Sequence, residues 1–366
     1  MKWSWKIGRF AGIDVFVHAT FLLLVAFFGF SYWQQTRTLS GTLEGIGFLL
    51  ALFLSVVLHE YGHALTARRY GIKTRDITLL PLGGVARLER MPDKPIQELW
   101  VALAGPAVNV VIAIVLFGYL VLTNTLVPLG GMTLTGGPFI ERLLSVNLSL
   151  VLFNLLPAFP MDGGRVLRAL LALRMEYVRA TQIAASVGQG MAFLFGLVGL
   201  FTNPFLIFIA LFVWIGAQQE ASLVQMKSAL GGIPVSRAML TEFRSLRPED
   251  RLQQAVDYIL SGSQHDFPVY DGQQVSGVLT RSDLMAALAR ESDQVRVDAV
   301  MRRDFEQVHP GDMLEAAFIR LQACGCHIFP VVQDGRLVGL LTSENVGEFL
   351  MFQSALGAGR PRLGSV

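Results

Sequence analysis

His59 and His63 are four positions apart, and Glu60 follows the first of them. On a helix that spacing brings both imidazoles to one face. Two imidazoles so placed are the ligand pair of a zinc site, and the adjacent glutamate is a candidate general base. The surroundings sharpen this reading. The chain is apolar from about Ile46 until it meets Arg68-Arg69. With about 1.5 Å of rise per residue, His59 lies about 13 Å along the helix from Arg68. If the arginines mark a membrane surface, the histidines and Glu60 lie inside the bilayer, where ionisable groups are costly and serve function. His-Glu-x-x-His also arises by chance in soluble chains, so a third ligand from elsewhere decides the matter.

Asp162 is the only acid between Arg142 and Glu176. Pro157 and Pro160 break the helix before it, and Gly163-Gly164 after it permits a close backbone approach. Asp162 could instead cap a helix over Gly163–Leu173. Beside the histidine pair, the ligand reading is the stronger one.

These residues need membrane helices to position them. The 366 residues are 52% hydrophobic and only 16% charged, with a mean hydropathy of +0.50. An average soluble chain is about one quarter charged. The excess is confined to residues 1–222, which predict a polytopic α-helical membrane domain. Six spans are expected, at Val15–Trp33, Ile46–Leu65, Leu99–Leu122, Ile140–Phe159, Ile183–Phe201 and Pro204–Ala217. Residues 1–14 read as an interfacial segment, and no small-residue cleavage pattern follows the first span, which is read as retained. His18 at its start is read as structural. Ile77–Leu88, centred on Gly83-Gly84, reads as a hairpin dipping into the membrane under cover of protein. Basic residues cluster before span one, between spans two and three, and between spans four and five. Both termini are therefore expected in the cytoplasm.

After a linker at 223–234, residues 235–352 read as an ordinary soluble α/β module, and 353–366 as a flexible tail. A net charge of +2 with no basic tract gives no reason to expect nucleic acid as a partner. Cys324 and Cys326, one residue apart, are poorly placed to bridge each other and are expected as buried, reduced thiols.

His59-Glu60-x-x-His63, Gly105-Pro106-x-x-Asn109, and Asn154-x-x-Pro157 followed by Pro160-Met161-Asp162-Gly163-Gly164-Arg165 resemble the site-2 protease family of intramembrane zinc metalloproteases. The resemblance covers roughly residues 5–220. It implies that His59, His63 and Asp162 hold one zinc ion with a fourth position open to water, whose pKa the metal lowers toward neutrality. Glu60 would then take a proton and return it to the leaving amine. Asn109 resembles the family's active-site asparagine and is expected to help bind the oxyanion or substrate backbone, with Asn154 a similar candidate. The substrate implied is a single-pass membrane protein. An unwound segment of it could add as a strand to the hairpin at Gly83-Gly84.

Residues 235–290 and 297–352 repeat without gaps at an offset of 62. Met239 matches Met301, Pro248 matches Pro310, Gly277 matches Gly339 and Thr280 matches Thr342. Each repeat reads as strand, helix, two strands, helix. The segments Gly277–Asp283 and Gly339–Asn345 resemble the cystathionine-β-synthase (CBS) domain. That resemblance implies an adenine nucleotide, such as ATP or AMP, held by Thr280 and Asp283 and more weakly by Thr342 and Asn345. It equally implies a ligand-free role in dimerisation. Two other functions compete with proteolysis: a CBS-gated transporter using the histidines as an ion site, and a catalytically inactive adaptor. Asp162, the broken fourth span and the Gly-Pro-x-x-Asn element argue against the transporter.

Overall fold

The computed structural model describes residues 3–81, 83–92, 94–125, 137–290 and 294–358. The chain forms two compact units, Met1–Val224 and Gln225–Val366.

The first unit opens with strands, where an interfacial segment and the start of a span were expected. β1 (Ser4–Phe10) pairs antiparallel with β2 (Ile13–His18). β2 lies parallel to β3 (Thr74–Leu80), and β3 pairs antiparallel with β4 (Gly83–Leu88), which ends the sheet order β1-β2-β3-β4. In β2 the inward residues Ile13, Val15 and Val17 are buried. An unbroken apolar run has no period that separates strand from helix, which is why the sequence pattern alone extends the span over Val15–His18. His18 caps the helix that follows, α1 (Ala19–Thr36), its Nδ1 accepting from the Thr20 amide. The hairpin itself forms as expected, and Arg87 clamps it by donating to both carboxylate oxygens of Asp76 at 2.7–2.8 Å.

Among the described residues, four helices are long and apolar enough to cross a membrane: α2 (Leu39–Arg69), α3 (Pro95–Leu122), α6 (Tyr177–Phe201) and α7 (Phe205–Leu230). The other two expected spans fall short among the described residues. α1 has 18 residues, a sufficient length, but its last turn, Trp33-Gln34-Gln35-Thr36, is too polar. α4 (Phe139–Asn154) has 16, or about 24 Å, against a hydrocarbon core of about 30 Å. Pro157 and Pro160 prevent its continuation, and α5 (Asp162–Ala172) starts afresh beyond the break. A β-carbon at Gly163 would run into the carbonyls of Leu155 and Leu156, so the glycine lets α5 fold back against the segment that leads into it.

α7 continues to Leu230, so residues 223–230 of the expected linker are helix, and the boundary between the units falls within it.

The second unit shows its repeat in its hydrogen bonds. Strands β5 (Phe267–Tyr270) and β6 (Val275–Leu279) form one antiparallel pair, and β7 (Ile328–Gln333) and β8 (Arg336–Thr342) form the other. Each repeat completes the other. Leu240 exchanges both backbone bonds with Leu340, and Arg302, its equivalent, exchanges both with Val278. Met239 packs on Gly339 and Met301 on Gly277, where a β-carbon would stand 2.8 and 2.7 Å from the sulfurs. The matched residues of the sequence repeat are thus the ones that join the two halves. The first expected strand of each repeat is reduced to a single parallel bridge, Leu246 with Val269 and Val308 with Val331. Helices α8 (Leu252–Ser261), α9 (Arg281–Leu288), α10 (Val297–Val300), α11 (Leu314–Cys324) and α12 (Ser343–Ala358) complete the module. Residues 353–358 of the expected tail belong to α12, and 359–366 lie outside the described residues.

Cys324 and Cys326 are joined in a disulfide, contrary to the expectation of two buried thiols. Gly325 between them takes a left-handed conformation at the end of α11 and turns the chain sharply enough for the pair to meet. Cys324 is exposed.

Candidate metal centre

α2 delivers His59 and His63 one turn apart, and the first residue of α5 delivers Asp162. His59 Nε2 and His63 Nε2 are 3.1 Å apart, and Asp162 Oδ2 lies 3.1 and 3.2 Å from them. All three side chains are buried. The cap before α5 is Met161, and no side-chain bond closes it. The alternative reading of Asp162 as a helix cap is therefore not what the fold adopts.

The donor set fits zinc on chemical grounds. His59 Nδ1 donates to Asn109 Oδ1 at 2.6 Å, and His63 Nδ1 donates to the Val101 carbonyl at 2.7 Å. With those protons on Nδ1, each neutral ring presents a bare Nε2. Two nitrogen lone pairs and a carboxylate oxygen then converge in a water-poor interior, an arrangement that calls for a cation. Ligands about 2.0–2.1 Å from a tetrahedral zinc stand roughly 3.3 Å from each other, close to the separations here. No other cluster of this kind occurs among the described residues.

Glu60 is turned toward β4, where its Oε2 accepts from the Ala86 amide at 3.1 Å. A β-carbon on Gly84 would stand 2.9 Å from Glu60 Cγ, so the strand rests directly on the glutamate. His59, Glu60, Gly83, Gly84 and Asn154 line one cavity of about 290 Å³, walled by apolar side chains that include Val56, Leu150 and Phe212. Gly83, Gly84 and Asn154 thus line the same cavity as the ligand His59. Asn109 is placed differently. It is fully buried, bonded to the His59 ring and to Asn147, and is absent from the cavity wall. Its carboxamide is taken up by those two contacts and does not face the cavity.

Three contacts that support the site become visible only in the packed structure. Asn147 supports Asn109. Gly105 provides the space against which the histidines pack. Arg168, one of the basic residues between the fourth and fifth expected spans, is fully buried, with Nε and Nη2 donating to Glu98 Oε1 and Nη1 donating to Glu220 Oε1. Asn147 and Arg168 are partnered by residues 38 to 70 positions away, beyond the reach of any local pattern.

In the second unit, Thr280 caps α9 and its hydroxyl donates to Asp283 Oδ2 at 2.5 Å. Arg302 donates to both oxygens of Asp283 at 2.7 and 2.8 Å. Partial burial pushes the Asp283 carboxyl up, but Arg302 and Thr280 outweigh it and hold the group below the usual carboxylate range. Thr342 and Asn345 repeat the same turn, with the Thr342 hydroxyl donating to Asn345 Oδ1 at 2.5 Å. All four residues thus shape helix starts.

A sequence model described as Peptidase family M50 matches residues 47–133 and 132–197, and a CBS domain model matches 235–290 and 297–351. The zinc metalloprotease MJ0392 of Methanocaldococcus jannaschii is 32% identical over 348 residues, covering 94% of this chain and 96% of that protein. Stage IV sporulation protein FB of Bacillus subtilis is 28% identical over 157 residues, 43% of this chain and 51% of that protein. The solved structure of the site-2 protease from Methanocaldococcus jannaschii is 38% identical and covers 60% of this chain and 95% of that chain, with a TM-score of 0.44. Similarity at this level runs through both units and nearly end to end, so the chain belongs to Peptidase family M50, the site-2 proteases, and is a membrane zinc metalloprotease with a tandem CBS module.

Proposed function

We propose that this metalloprotease hydrolyses a peptide bond within or near the transmembrane segment of a single-pass membrane protein, held as an added strand on the free edge of β4. One observation carries the reading: Gly83 and Gly84 of β4, Glu60 and the ligand His59 all line one cavity. β4 ends the sheet, so its outward amides and carbonyls, apart from the Ala86 amide held by Glu60, can pair with an extended chain. Helical substrate hides its carbonyls in its own hydrogen bonds, and strand pairing replaces those bonds while it is unwound. The apolar walls at Val56, Leu150, Phe153 and Phe212 suit the side chains of a membrane segment.

His59, His63 and Asp162 would hold zinc, which supplies Lewis acidity at the cavity wall. Glu60 takes a proton at its carboxylate and delivers it to the leaving nitrogen. Asn154, on the cavity wall, donates to the substrate carbonyl. The test uses Glu60→Gln as a zinc-retaining, inactive trap. A photo-crosslinker at exposed Val85 of β4 should capture the substrate next to its cleavage site. Efficient cleavage by wild type with no capture at position 85 would remove the edge-strand reading.

The reading extends to topology and to the module. The chain is a multi-pass cell-membrane protein with both termini and the CBS pair in the cytoplasm, supported by the basic residues that border alternate spans. Reporter fusions at either end test this. An adenine nucleotide binds at Thr280 and Asp283, which sit at the start of α9 as that chemistry requires, and Asp283 must exchange Arg302 for ribose hydroxyls. The Thr342 and Asn345 site is weaker, since a neutral amide replaces the carboxylate. Calorimetric titration of the full chain with AMP and ATP, against Asp283→Ala, tests the nucleotide. Light scattering of the same protein tests the homodimer that a CBS module implies.

A further inference from the structure

We propose that Asn147 of α4 is a positioning residue for the metal ligand His59, acting through Asn109 to decide which ring nitrogen is left bare. A backbone carbonyl has a fixed polarity. The Leu143 carbonyl can only accept. Asn147 Nδ2 lies 2.8 Å from it, so the nitrogen end of that amide faces the carbonyl. The same nitrogen donates its second proton to Ser55 Oγ at 3.3 Å, and Ser55 in turn donates to the Ala51 carbonyl at 3.1 Å. Both Asn147 protons are thereby used, and its Oδ1 is left to face Asn109.

Only a donor satisfies that oxygen, and Asn109 Nδ2 supplies it at 2.9 Å. Asn109 must then present Oδ1 to the ring of His59, where Nδ1 lies 2.6 Å away and carries the proton. Nε2 is left with its lone pair toward His63 and Asp162. If the Asn109 amide were reversed, an N–H would face Nδ1. The ring proton would move to Nε2 and block coordination there. The two ends of a carboxamide have nearly the same size, so packing alone does not choose between these states. The choice is made by a backbone carbonyl on α4 and passed along two amides. His63 needs no such relay, because its Nδ1 meets a backbone carbonyl directly. Both asparagines are fully buried, so water cannot take over either contact. The relay acts on metal retention and is independent of the substrate.

The test compares zinc dissociation constants, by chelator competition on the full-length protein in detergent, for Asn147→Leu in two backgrounds. In the wild-type background the relay predicts a loss of tenfold or more, about what partners behind a metal ligand are worth. In an Asn109→Asp background the loss should vanish to within about twofold, because a carboxylate accepts from Nδ1 whichever way it is turned. Equal losses in both backgrounds would show that Asn147 only fills space, and no loss in the wild-type background would show that something else orients Asn109. Either result overturns the proposal. Asn147→Ala replaces the leucine variant if the latter does not stay monodisperse.

Discussion

Gly105 of α3 lies so close to His63 of α2 that a β-carbon at position 105 would overlap the imidazole Nε2 and stand 2.6 Å from His59 Nε2. The missing side chain is the space in which the ligands converge. Gly105→Ala is expected to lower zinc affinity by roughly a hundredfold. The purified variant should carry well under one zinc per chain while keeping the helical circular dichroism of wild type. Full zinc occupancy in a folded Gly105→Ala protein would contradict this geometry.

Gly84 makes the complementary contact on Glu60. Alanine there would place a carbon 2.9 Å from Glu60 Cγ and push the carboxylate aside without touching the ligands. Zinc content should stay at one per chain, while turnover falls by about a hundredfold, a modest general-base effect. The two glycine variants therefore separate metal binding from proton transfer.

Arg168 ties three helices together. It bonds Glu98 on α3 and Glu220 on α7, and its guanidinium lies 5.0 Å from the ring centres of both Phe159 and Tyr177. Phe159 belongs to the break that leads into Asp162. Arg168→Met strands Glu98 as a buried charge without its partner and should cost about 3–5 kcal/mol. Adding Glu98→Gln should recover much of that loss, since the stranded charge is then gone. Denaturant unfolding in detergent reads both variants.

Asp283 gives the CBS module a pH dependence of definite sign. Its folded carboxyl is held below the unfolded value of about 4 by Arg302 and Thr280. The stabilisation is therefore full above about pH 4 and is lost as pH falls through the lower folded value. Arg302→Gln should reduce the thermal midpoint of the module at pH 7, and its gap from wild type should narrow at pH 3. A gap that is unchanged between the two pH values would show that Arg302 acts by packing rather than by charge.

The sequence by itself determined whatever repeats locally or recurs at a fixed offset. Two histidines four apart must share a helix face, so that half of the metal centre was legible. The prolines before Asp162 and the glycines after it announced a broken helix, and the 62-residue offset announced a paired module. What remained was decided by contacts between distant segments. Val15–His18 is strand because β3, some 60 residues later, lies beside it. Asn109 faces a ligand, away from the cavity, because α2 and α4 flank it with His59 and Asn147. Arg168 is buried because carboxylates 70 and 52 positions away reach it. Helix and strand periods extend only a few residues along the chain. An amide or a guanidinium buried in an apolar region must find its partner across the fold, and only the packed helices show which partner that is.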